Sequence, residues 1–156
     1  MTTRLQETDA VLVVDVQNDF CPGGALAVPE GDAVVPVLNQ WIVAARREGL
    51  LVIASRDWHP VDHCSFKEHG GPWPVHCVQD TRGAAFHPEL QIDEDVIRVS
   101  KGTAFDRDAY SAFDGTGLES FLRARGITRL FIGGLAQDVC VQATVIDACE
   151  HEFRPA

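Results

Sequence analysis

Residues 129–153 read RLFIGGLAQDVCVQATVIDACEHEF. RLFIGGLA (129–136) is a short apolar run ending in small residues and reads as a buried strand. DVCVQATVIDACEHEF (138–153) reads as the helix that follows it. The same succession recurs upstream. AVLVVDV (10–16) is a β-branched strand, and DAVVPVLNQWIVAARREG (32–49) is a helix with Val34, Val35, Leu38, Ile42, Val43 and Ala45 at helical spacing. Asp32 stands where a cap is needed and Gly49 where the helix should stop. LLVIASRDW (50–58) and DVIRVSKG (95–102) are further strands, and GLESFLRARGI (117–127) is a helix closed by glycine. Continuous apolar strands alternating with helices predict a parallel sheet covered on both faces, a three-layer α/β/α fold. No repeat, low-complexity tract or linker interrupts the 156 residues, so residues 1–156 read as one domain.

Composition narrows the function classes. Hydrophobic residues make up 46% and charged residues 23%, an ordinary globular mix, while the net charge is −10. A chain this acidic repels phosphates, which argues against a nucleic-acid partner. MTTRLQETDA does not read as a signal peptide, and no run approaches the ~18 apolar residues of a membrane span. Cysteines 21, 64, 77, 140 and 149 are odd in number and irregularly spaced, with no C-x-x-C pair. That pattern predicts free thiols in a reducing, cytoplasmic setting.

Residues 58–94 break the alternation. They lack a clear period, are rich in Pro and Gly, and hold five of the six histidines: His59, His63, His69, His76 and His87. Long irregular segments of compact domains are usually functional or disordered. Trp58, Phe66, Trp73 and Phe86 favour an ordered one. In parallel sheets, ligands bind beyond the carboxyl ends of the strands, and this loop leaves such an end.

The strand ends carry the chemistry. The first ends at Asp15, the second at Asp57, the third at Lys101, and the fourth leads to Cys140. Each has a plain alternative: Asp15 as a turn cap, Lys101 as a solvated strand end, Cys140 as a small core hydrophobe. Yet an unpaired charge in the apolar run around Asp15 is costly, and a thiol at a helix N-terminus is poised to become a thiolate. Cys149 has no such setting and is expected in the core. Together, Asp15 suits a base that takes the thiol proton, Lys101 suits an anchor for that aspartate, and the N–H groups of Ala136 and Cys140 suit an oxyanion hole. Such a set performs acyl transfer on an amide through a thioester. Separately, Asp57, His59 and His76 offer a carboxylate and two imidazoles, a donor set for Zn2+, or for Fe2+ or Mn2+. His63 and Glu68 are further candidates near it.

These segments resemble the nicotinamidases of the isochorismatase-like cysteine hydrolase superfamily. The matching stretches are VVDVQNDFCPGGALAV (13–28), SRDWHPVDHCSF (55–66), WPVHC (73–77), VSKGT (99–103) and GGLAQDVCVQAT (133–144). The resemblance implies Asp15 as general base, Lys101 as catalytic lysine, Cys140 as nucleophile and a cis peptide at Leu135–Ala136. It further implies Asp57, His59 and His76 as ligands of one divalent metal that holds the pyridine nitrogen, and Phe20, Trp73 and Tyr110 as residues around the ring. The implied activity is hydrolysis of nicotinamide to nicotinate and ammonia, with pyrazinamide as a side substrate and a place in NAD salvage. The implied partner is a small amide, with a homo-oligomer open. Another amidase acting on carbamoyl compounds, an inactive binding protein on the same fold, and a simple metal-binding protein are the competing readings. Family members usually continue with another strand and helix, so the end at HEFRPA (151–156) implies a shortened C-terminus in which the Cys140 helix loses a neighbour.

Overall fold

The computed structural model describes residues 4–156. Its strands are β1 (Asp9–Val14), β2 (Leu51–Asp57), β3 (Ile97–Lys101), β4 (Arg129–Gly134) and β5 (Arg154–Pro155). They form one sheet in the order β3-β2-β1-β4-β5, every neighbouring pair parallel. The helices are α1 (Val34–Arg47), α2 (Leu118–Ala124) and α3 (Gln142–Glu150).

Alternation along β1 builds the layers. Successive side chains of a strand face opposite sides. Ala10, Leu12 and Val14 pack with Leu118, Leu122 and Ala148, hence with α2 and α3. Val11 and Val13 pack with Val35, Leu38, Ile42 and Ala45 of α1. Every residue of β1 is buried, as expected for a central parallel strand. The predicted three-layer α/β/α arrangement is the one observed.

Several boundaries differ from the sequence-based reading. β1 stops at Val14 because Asp15 turns to a positive φ of 52°. Asp32 does not cap α1; it lies in a 3-10 turn (Gly31–Ala33), and Ala33 is the capping residue. The helix expected over 138–153 is divided. A π-helical turn covers Gln137–Val141, α3 ends at Glu150, and the chain then enters β5 beside β4. HEFRPA (151–156) thus carries a strand partner for β4, and Ala156 N–H donates to Leu130 O at 2.7 Å. Cys149 is exposed and not in the core, because it sits near the end of α3, away from the sheet.

Gly134, at the end of β4, is required by geometry. Its φ is +144°, and a Cβ there would overlap the carbonyl of Val14. Gly134→Ala is expected to lower the unfolding free energy by more than about 1 kcal/mol, the scale of Gly-to-Ala changes at incompatible φ. Urea denaturation checks this.

Candidate active site

The carboxyl ends of β1, β2, β3 and β4 bring Asp15, Asp57, Lys101 and Cys140 together. Lys101 is buried between two carboxylates, with Nζ 2.8 Å from Asp15 Oδ2 and 2.5 Å from Asp57 Oδ1. The same ammonium donates to Cys140 Sγ at 3.5 Å. Asp15, Asp57 and Cys140 each place one polar atom within 4.8 Å of the others. Ser55, from the middle of β2, donates to Asp15 Oδ1 at 2.8 Å and fixes the carboxylate's orientation. Asp15 Oδ2 is paired with the Lys101 ammonium at 2.8 Å, which holds the carboxylate within reach of the Cys140 thiol.

Burial pushes the Asp15 carboxyl above its usual range; Lys101 opposes this and the charge of Asp57 adds to it. A raised carboxyl is the better proton acceptor from a thiol. Burial alone would strip Lys101 of its proton, but Asp15 and Asp57 outweigh it and hold the ammonium charged. Burial, reinforced by Asp15, pushes the Cys140 thiol up. Burial thus works against the thiolate that the helix end and Lys101 favour. A thiol pushed up by burial calls for a base beside it, the place that Asp15 occupies.

The turn before Cys140 presents backbone donors. The Leu135–Ala136 peptide is cis, as the resemblance implied. Leu135 N–H is taken up by Val14 O, whereas Ala136 N–H has no acceptor among the described residues. Ala136 and Cys140 line the same cavity.

Asp57, His59 and His76 converge beside this group. Asp57 Oδ2 lies 3.6 Å from His59 Nε2 and 3.8 Å from His76 Nε2. His59 Nδ1 bonds Gly102 O at 2.7 Å, and His76 Nδ1 bonds Pro74 O at 2.7 Å. Donation from Nδ1 to a carbonyl leaves each Nε2 lone pair facing the carboxylate, the arrangement a divalent ion requires. Burial works against the charge on Asp57, but Lys101 and the two imidazoles outweigh it and hold the carboxyl well below its usual range. The three residues therefore fit a metal. Gly102, at φ +62°, lets the His59 ring approach; a Cβ there would stand 2.5 Å from His59 Cε1.

His63 is not available to the same ion. Its Nδ1 bonds Ser65 Oγ at 2.7 Å, its Nε2 donates to Arg107 O at 3.0 Å, and its ring stacks on His59 at 4.0 Å. Burial lowers its proton affinity. Glu68 is exposed and outside the metal cluster.

Cys140 and Ala136, together with Asp57, His59 and His76, line one cavity of about 340 Å³, and Asp15 and Lys101 reach it through Cys140 and Asp57. Phe20, Trp73 and Tyr110 line it. Phe20 lies 5.8 Å from the His76 ring, and Trp73 Nε1 donates to Tyr110 Oη at 3.1 Å across two loops. Ser55 and Gly102 were not singled out by sequence; the only signal was a lone hydroxyl in an apolar strand and a glycine after the lysine.

Comparison with known proteins agrees with this geometry. The family model described as Isochorismatase domain matches residues 9–156. A nicotinamidase of Escherichia coli is 44% identical, covering 93% of this chain and 78% of that protein. The crystal structure of a Pyrococcus horikoshii pyrazinamidase in complex with zinc has a TM-score of 0.91 and 50% identity, covering 94% of this chain and 80% of the other. The L. infantum protein PnC1, in complex with nicotinate, has a TM-score of 0.88 and 37% identity, covering 98% of this chain and 80% of that one. With a family match over nearly its whole length and an amidase-like site at its strand ends, this chain belongs to the isochorismatase domain family and is an amide hydrolase.

Proposed function

We propose that the protein hydrolyses nicotinamide to nicotinate and ammonia through a thioester on Cys140. The observation that carries this reading is that Cys140 and the cluster of Asp57, His59 and His76 line the same cavity. One set cuts an amide while the other holds a ring. The names of the E. coli and P. horikoshii relatives, and the nicotinate in the L. infantum structure, support the substrate.

Asp15 takes the thiol proton as Sγ attacks the amide carbon. The N–H groups of Ala136 and Cys140 receive the negative charge that builds on the amide oxygen. The proton passes from Asp15 to the leaving nitrogen, ammonia departs and the thioester remains. Asp15 then takes a proton from water, which attacks the thioester; the acid leaves and the thiol is restored. Lys101 stays cationic throughout and keeps Asp15 in reach of sulfur. Asp57, His59 and His76 hold the metal, which supplies a Lewis-acid anchor for a ring nitrogen. Zinc is the proposed ion, supported by the donor set and by the zinc in the P. horikoshii relative. Phe20, Trp73 and Tyr110 enclose the ring.

Among the described residues lining the cavity there is no lysine or arginine. Away from the proposed metal, an acidic carbamoyl substrate would find no side-chain cation on that lining, which favours a neutral amide. Pyrazinamide fits the same description. Five free cysteines support a cytoplasmic setting, and the acid product a place in NAD salvage. Ammonia release from nicotinamide and pyrazinamide, with none from a carbamoyl acid, is the expected result. Release from the carbamoyl acid alone would overturn the proposal.

His76→Ala is expected to weaken zinc binding by more than the ~10–100-fold that loss of an outer partner costs, and to raise the KM for nicotinamide in parallel. Metal titration and steady-state kinetics check both. Unchanged zinc content would remove His76 from the ligand set.

A further inference from the structure

Gln17 lies two residues beyond Asp15, with no accessible surface. Its side-chain amide makes three hydrogen bonds, all to distant backbone. Nε2 donates to Asp57 O at 2.8 Å and to Ala84 O at 2.8 Å, while Oε1 accepts Asp57 N–H at 2.9 Å. Both amide protons are thereby used. Asp57 is engaged at its N–H and its C=O by one side chain, as a neighbouring strand would engage it. The backbone of Gln17 also donates to Asp15 O at 2.9 Å and pairs with Phe86.

These contacts close the neck of the long loop. The loop leaves the sheet at Asp57 and returns past Ala84, and His59 and His76 lie between those points. Without the amide, the Asp57 peptide groups and the Ala84 carbonyl would be left buried and unpaired, a cost that favours displacement of the loop ends. We infer that Gln17 is a positioning residue for the metal centre, clamping the loop at its neck so that the Asp57 carboxylate faces both imidazoles. The inference rests on Asp57 being a metal ligand. A buried amide that only stabilised the fold would lower stability and leave the zinc affinity of the folded protein untouched.

The test is zinc affinity of folded protein, measured by competition with a chromophoric chelator. Gln17→Met keeps the length and removes all three bonds. It is expected to weaken zinc binding by about 10–100-fold, the range for loss of outer partners of a metal site. Gln17→Glu keeps an acceptor for Asp57 N–H but lacks the donors, and should weaken zinc in the same direction. Asn18→Ala, which removes an exposed bond to Arg82 O (2.8 Å) outside the site, should bind zinc as the wild type does. Folded Gln17→Met with wild-type zinc affinity would overturn the inference, as would failure of both Gln17 variants to fold, which would make Gln17 a requirement of the fold. Wild-type protein that binds no zinc would overturn the ligand assignment itself.

Discussion

Cys140→Ala lowers ammonia release from nicotinamide by on the order of 10^6-fold, the scale of removing a catalytic nucleophile, and leaves the zinc content unchanged. The two halves of this expectation follow from separate parts of one cavity. Among the described residues lining the cavity, Cys140 Sγ is the only thiol, and without it Asp15 and the backbone donors have no nucleophile to serve. The metal wall is built from Asp57, His59 and His76, none of which uses the thiol to hold its position. Alanine fills the same backbone turn, so the fold should persist. Steady-state kinetics and metal analysis on one preparation check both halves. A variant that retained the wild-type rate would contradict the thioester; a variant that lost its zinc would place Cys140 in the metal site.

Lys101→Met has the second large effect, on stability as well as rate. The ammonium is the shared counter-charge of Asp15 and Asp57, all three being buried. Removing one member of a buried ionic set typically costs about 3–5 kcal/mol, because the remaining charges are stranded. Without metal, the variant should unfold at markedly lower urea concentration than wild type. Zinc should restore part of the loss, since a cation on Asp57 replaces one of the missing interactions. Turnover should not return with it, because Asp15 would still lack the group that holds it beside sulfur. Equal urea midpoints for Lys101→Met and wild type would contradict the buried network.

The fold was legible where the chain obeys simple periodicity. β1 reads from its sequence because a strand covered on both faces must be apolar at every position. Asp15, Asp57, Lys101 and Cys140 were legible as a group because parallel strands put their carboxyl ends on one side, so polar residues closing apolar runs must meet. What was not legible depends on long-range contact or on backbone detail. Nothing local marks Ser55 as the partner of Asp15, or Gln17 as the clamp on Asp57; each bond spans 40 residues. The π-turn at Gln137–Val141 leaves no compositional trace, since its hydrogen-bond pattern differs from that of a helix but its residues do not. Asp32 has the chemistry of a cap, but the 3-10 turn shifted the helix start past it. His63 was a reasonable ligand by residue type, yet Ser65 and Arg107 occupy both its nitrogens.

The measurement that bears most directly on the central claim is ammonia release from nicotinamide by the purified protein before chelation, after chelation, and after zinc is returned. The expected result is release that stops with the chelator and resumes with zinc, because Cys140 can cut only an amide whose ring is held by the metal on Asp57, His59 and His76. Release that continues at full rate in metal-free protein, or none from folded, zinc-loaded protein, would contradict it.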